Sequence, residues 1–180
     1  MQLNLFSTEV YYDLETQKSA DEVGWSNIDR MLLAVGVTWC AKEGFRHWFE
    51  RDASALVGYL SSFDSVISFN GDGFDSRVLS HYTDVSAINK SSFDLLRDIK
   101  TRLGHRLSLN AIARGTLDVG KTADGLQSLQ WWKEGRIDLI TAYCEQDVKV
   151  LVDLVTFARM HGFVRYFDKF GTPLTVHVRW

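Results

Sequence analysis

Between Ile137 and Ala158 the chain has neither Gly nor Pro, and its apolar residues Ile140, Cys144, Val148, Leu151 and Val155 recur at steps of four, four, three and four. That spacing predicts a long helix with one buried stripe. Tyr143 and Asp147 stand four residues apart and so project together, one row from the stripe. A carboxylate so close to a buried face requires a partner, because removing its charge from water is costly. The acids available to share one are Asp13 and Glu15 near the N-terminus and Asp75 in the middle of the chain. A pair of divalent cations would join all four.

The stretch from Leu3 to Leu14 is apolar and rich in β-branched and aromatic residues, ending Val10-Tyr11-Tyr12-Asp13-Leu14-Glu15-Thr16, and reads as a central strand. Alternate strand residues share a face, so Asp13 and Glu15 point one way and Leu14 the other. Two carboxylates on one face of a buried strand repel each other, and something cationic is expected between them. After a polar connection from Gln17 to Asp29, strands are expected at Met31–Trp39 and Gly44–Phe49, joined by a turn at Lys42–Gly44. A helix over Asp52–Ser61 and a short strand over Ser65–Phe69 lead into Asn70-Gly71-Asp72-Gly73-Phe74-Asp75. This glycine-rich turn feeds a helix from about Phe74 to Tyr82, with Asp75 in its first turn, where the backbone dipole favours negative charge. A further short strand is expected near Ser91–Asp94, with helices at about Leu95–Leu103, Leu107–Arg114 and Leu126–Lys133, and a C-terminal hairpin from about residue 163 to 180. Asp94 suits the N-cap of the helix after it, and Asp72 a turn position. Trp131 and Trp132 are adjacent, so on a helix they point about 100 degrees apart; packing against the helix of Asp75 is the expected use. Lys121, Lys133 and Arg136 flank that pair and are the candidate phosphate contacts. No repeat or linker divides the 180 residues, and a single domain is expected.

Oxygen ligands without His or Cys select Mg2+ or Mn2+ over zinc. Two such ions about 4 Å apart can clamp the attacking and leaving oxygens of a phosphoryl displacement. Tyr143, one helical turn before Asp147, is placed to hydrogen-bond the attacking water. Three motifs carry a resemblance. Asp13-Leu14-Glu15-Thr16 resembles the first motif of the DEDD exonucleases, Asn70-Gly71 with Phe74-Asp75 the second, and Tyr143 with Asp147 the third in its Tyr form. Ser108–Ala113 and Gly120-Lys121 also resemble the region before the third motif in these enzymes and in family-B polymerase proofreading domains. The resemblance implies an α/β, RNase H-like fold: a mixed five-stranded sheet, its first three strands antiparallel, with helices on both faces. It implies 3′-to-5′ hydrolysis of single-stranded DNA or RNA ends, releasing nucleoside 5′-monophosphates with two Mg2+ or Mn2+ ions. Asp13 would bridge both metals, Glu15 and Asp147 would support the one that activates water, and Asp75 would act through the second. Thr16, Asn70 and Phe74 would bind the substrate.

Net charge is −3, from 20 basic and 23 acidic residues, whereas phosphate binding usually brings a basic excess. If four acids hold two divalent ions, the working charge becomes about +1. Cys40 and Cys144 lie far apart and point to a reducing, cytoplasmic setting. Neither a signal peptide nor a membrane span is expected. With no polymerase or helicase segment in the sequence, such a partner would act in trans. Two other functions fit the same fold: a nucleic-acid-binding or partner-docking module without turnover, marked by loss of a ligand, and an endonuclease, which lacks the Tyr-x-x-x-Asp arrangement.

Overall fold

A computed structural model describes residues 8–120 and 125–180. Its organising element is the strand β1 (Glu9–Thr16), whose alternating side chains feed two separate cores. Tyr11 belongs to one core, while Val10, Tyr12 and Leu14 belong to the other. Asp13 and Glu15 share the parity of Tyr11 and so face its side of the sheet. The expected strand start at Leu3 lies outside the described residues.

The segment Gln17–Asp29, expected as a polar connection, holds a short helix, α1 (Ala20–Val23), and most of a 3-10 segment, Trp25–Met31. Ser19 caps α1 with a reciprocal Glu22 capping box. The chain continues through β2 (Leu33–Cys40), β3 (Gly44–Phe49), α2 (Ala53–Leu60) and β4 (Ser65–Ser68). Next come α3 (Asp75–Leu79), α4 (Ser86–Ser91), β5 (Ser92–Asp94), α5 (Leu95–Leu103), α6 (Leu109–Leu117), α7 (Gly125–Lys133) and α8 (Ile137–His161). A hairpin of β6 (Phe163–Phe167) and β7 (Pro173–His177) follows.

The five-stranded sheet has the order β3-β2-β1-β4-β5, with β1, β2 and β3 antiparallel and β4 and β5 parallel to β1. Helices cover both faces. Leu56, Leu60, Val78, Leu79 and Ile88, from α2, α3 and α4, pack with Tyr12 and Leu14; Ile99, Ile112, Ile140, Cys144, Val148 and Leu151, from α5, α6 and α8, pack with Tyr11, Val35 and Val37. The fold is RNase H-like, with the hairpin as a separate small sheet.

One detail of register makes room for a site. The parallel pairing of β1 with β4 ends at Tyr11–Ile67, while β1 remains paired with β2 as far as Thr16. From Tyr12 onward the edge of β1 toward β4 is open, and the pairing with β2 also shifts register between Glu15 and Thr16. Irregular pairing of this kind re-aims side chains at the end of a strand.

Gly115 marks where α6 meets the hairpin: a Cβ there would lie 2.5 Å from Arg165 O and 2.6 Å from Tyr166 Cα, both backbone atoms. Gly58, inside α2, would meet nothing within 4 Å. Gly115→Ala is therefore expected to cost about 1–3 kcal/mol by overpacking, while Gly58→Ala is neutral or stabilising by about 0.5–1 kcal/mol. Denaturant unfolding of the two variants checks the difference, and equal midpoints would contradict the close approach.

Candidate active site

The open end of β1 forms one wall of a cavity of about 510 Å3 lined by Asp13, Glu15, Thr16, Asn70, Phe74, Asp75, Tyr143 and Asp147, among others. The eight residues expected as metal, catalytic or nucleotide contacts all lie in that lining, whereas the candidate phosphate contacts Lys133 and Arg136 do not. Asp13, Glu15 and Asp147 come closest together, each offering a carboxylate oxygen within 4.8 Å of the others. The helix α8 makes this possible by crossing β1 and β2 with its apolar stripe down, which brings Tyr143 and Asp147 to the cavity at only 6% and 7% exposure.

Cys144, between those two, was not anticipated as part of the site. Its thiol donates to the Asp13 backbone carbonyl at 3.2 Å and lies 3.6 Å from Oδ2 of the same residue. Burial, followed by the charges of Asp13, Glu15 and Asp147, pushes the Cys144 thiol well above its ordinary pKa, so it stays protonated and able to donate. Trp131 meets the Tyr143 ring edge-on at 6.2 Å. The α7 tryptophan thus packs on α8, not on α3 as its sequence position suggested.

Asp75 stands on the same cavity wall, outside the three-acid cluster, at the first residue of α3. It is 4% exposed, and burial pushes its carboxyl up to about 7; the backbone amides of Asp75 and Leu14 hold back the rise and the charge of Asp94 adds to it. The turn before it is tightly determined. Asn70 has a φ of 70°, a left-handed conformation that asparagine tolerates, and a Cβ on Gly71 would lie 2.1 Å from Ser68 Oγ and 2.8 Å from the Tyr12 hydroxyl. Asp94 caps α5 through the Leu96 and Arg97 amides as expected, and its carboxylate also accepts from the amides of Asn70, at 2.8 Å, and Asp72, at 3.3 Å. Asp72 is more than a turn residue, since it accepts from Ser92 Oγ and pairs with Arg97. The second motif is thus fastened to the far edge of the sheet.

Two exposed apolar residues that drew no notice in the sequence, Trp25 and Leu126, complete the lining at 70% and 72% exposure. No basic side chain lines the cavity among the described residues. Lys133 pairs with Glu22 and Arg136 with Asp138, while Lys121 lies outside the described residues. Asp13, Glu15 and Asp147 offer hard oxygen donors at a spacing that could hold a metal ion.

The sequence signature of the RNase_H superfamily matches residues 10–158, from β1 to the last turn of α8. The chain belongs to the RNase_H superfamily. The fold of this RNase_H superfamily chain is similar to that of the family B DNA polymerase from the hyperthermophilic archaeon Pyrobaculum calidifontis, with a TM-score of 0.66 and 14% identity over 84% of this chain and 24% of the polymerase. It is also similar to exonuclease I, with a TM-score of 0.50 and 13% identity over 86% of this chain and 41% of that enzyme. The chain thus spans less than half the length of either protein. No curated protein sequence matches it. Superfamily membership, together with the acidic cluster, supports a nuclease. No helix among the described residues is long and apolar enough to cross a membrane.

The sign of the Asp75 shift gives a test. An unfolded Asp75 ionises near 3.8 while the folded one holds its proton to about 7, so stability from this group is full at low pH and declines as pH rises between those values. In metal-free protein, Asp75→Asn is expected to gain melting temperature relative to the parent as pH goes from 4 to 7. Parallel melting curves across that range would contradict a buried, protonated Asp75.

Proposed function

We propose that this protein is a metal-dependent 3′-to-5′ exonuclease acting on single-stranded nucleic acid ends. The observation that carries the reading is the convergence of Asp13, Glu15 and Asp147 within 4.8 Å on the wall of one cavity that Tyr143 and Asp75 also line. Those acids come from residues 13 to 147 of the chain and match, in order, the motifs read from the sequence.

Asp13, Glu15 and Asp147 would hold one divalent ion, and Asp13 with Asp75 would hold a second. When bound, the ions lower the pKa of a water and neutralise charge growing on the leaving oxygen. The reaction is in-line: a water oxygen bonds to the last phosphorus and gives up a proton, the bond to the 3′ oxygen of the preceding nucleotide breaks, that oxygen takes up a proton as the new 3′ hydroxyl, and a nucleoside 5′-monophosphate is released. Tyr143 acts through position. A phenol of ordinary pKa about 10 is a weak base at neutral pH but a good hydrogen-bonding guide for the attacking water. The Trp131 ring holds the Tyr143 ring from its edge, and the Cys144 thiol orients Asp13. Thr16 and Asn70 would meet the terminal sugar, with Phe74 against the base. Trp25 and Leu126, exposed at the cavity, offer apolar faces on which a base can stack.

Within the cell we place the enzyme in the cytoplasm, with a polymerase or helicase as the source of frayed ends.

Incubating 3′-labelled and 5′-labelled single-stranded DNA and RNA with the protein and Mg2+ or Mn2+ tests the reading. Stepwise shortening from the 3′ end is expected. Internal cuts would assign an endonuclease, and intact substrate in both metals would leave a binding module. Asp13→Asn should lose more activity than the roughly 10–100-fold typical of groups that merely orient a metal ligand. Mn2+ should also raise the melting temperature of the parent with rising concentration and do so far less in Asp147→Asn; an equal rise in both would remove Asp147 from the ligand set.

A further inference from the structure

On the proposed reading the cavity takes the 3′ end of a nucleic-acid strand, and the rest of that strand must lie outside it. Asn70, on the cavity wall, accepts a hydrogen bond at its Oδ1 from Arg106 Nη2 at 3.0 Å. Arg106 is exposed and lies in the loop between α5 and α6. Its neighbour His105 meets the Tyr166 ring of β6 edge-on at 6.3 Å. Tyr166 pairs with Leu174 and Phe167 with Pro173, the last two pairs before the hairpin turn, so the contact lies near the tip and not the base of the hairpin. Beyond those pairs the tip carries Phe170, 80% exposed, with Lys169 Nζ 4.9 Å from the centre of its ring. Phe167 and Leu174 beside it are 45% and 38% exposed. Cationic and aromatic groups therefore occur both at the cavity rim and at the tip of the hairpin that His105 touches.

Charge follows the same line. Residues 104–120 and 163–180 together hold five basic and two acidic residues, in a chain whose net charge is −3. Of those two acids, Asp168 is directed into the turn, where its carboxylate accepts from the Phe170 and Thr172 amides. Elsewhere Arg97, Arg102, Arg136, Arg159, Lys133 and Lys149 are bound to carboxylates, whereas Arg106, Arg165 and Lys169 have none among the described residues. Basic groups without acidic partners, alternating with exposed rings, suit phosphates and base faces rather than a purely apolar partner.

We propose that Arg106, the His105–Tyr166 pair and the Lys169–Phe170 hairpin tip form a track for the single strand upstream of the nucleotide in the cavity. This rests on the nuclease reading of the cavity. Arg106 and Lys169 take phosphates, and Phe170 takes a base on its open face. The track reads backbone and ring faces, so it engages DNA and RNA alike.

Binding tests it without turnover. Fluorescence anisotropy is measured in EDTA with the full chain and 5′-labelled 15-nucleotide and 3-nucleotide oligomers, as DNA and as RNA. The parent is expected to prefer the longer oligomer. Lys169→Ala with Phe170→Ala should weaken 15-mer binding about tenfold, shrink that preference, and reduce the salt slope by about 0.7, the value for one phosphate contact on a single strand. Arg106→Gln should act in the same direction, and Phe170→Trp should keep parental affinity. Parental affinity and salt slope in both the tip variant and Arg106→Gln would overturn the track. So would a concentration-dependent dimer that Phe170→Ala abolishes while oligomer binding is untouched, since the tip would then be a self-association surface. Absence of hydrolysis in Mg2+ or Mn2+ would sink the nuclease reading, yet leave the anisotropy result to decide the track.

Discussion

Carboxylates gathered within a few ångströms repel one another, and much of this molecule can be read as the scaffold that holds them together. Asp13 and Glu15 arrive by strand alternation, and Asp147 by the packing of α8. The apolar stripe of α8 is anchored on Tyr11, Val35 and Val37 of the sheet, so hydrophobic burial supplies the force that opposes the electrostatic one. The Cys144 thiol adds a local restraint at the Asp13 carbonyl. A cation bound among these acids, as proposed, would turn the repulsion into attraction.

The second determinant is the parting of two strands. Had β4 continued alongside β1 to Thr16, ladder hydrogen bonds would fill the space where the Asn70–Asp75 turn now sits. The pairing stops at Tyr11–Ile67, and the freed edge receives Asp75 and the amides around it. Asp94 then ties that turn to β5, so both walls of the cavity rest on the same sheet from opposite directions. Ligand sites at the carboxyl ends of strands, where connections diverge, follow from this geometry.

Much of this could be read from residue order. Period-four spacing identified α8, and alternation put Asp13 and Glu15 on one face, because both signals are local. The hairpin and the order of elements followed from turn residues and apolar runs. What stayed hidden was long-range or small. The α1 and 3-10 segments between β1 and β2 have few turns and little periodicity, and α4 has only six residues. Asp94 had a sufficient local explanation as a helix cap, which concealed its hold on Asn70, 24 residues away. Trp131 could be placed on a helix, but which neighbour it met depended on where α7 lands against α8. Cys144 looked like an ordinary member of an apolar stripe, and only the crossing of α8 over β1 turned its thiol toward Asp13.

The separation of Asp13 from Asp147 along the chain has a consequence for how the protein comes into being. On the ribosome, the strand with Asp13 and Glu15 emerges long before α8 exists, and the acids at that stage belong to no common centre. Only when the last long helix has left the exit tunnel and closed over the sheet can the oxygens meet. A nascent or truncated chain ending before α8 thus has the two strand acids but neither Asp147 nor the stripe that brings it to them.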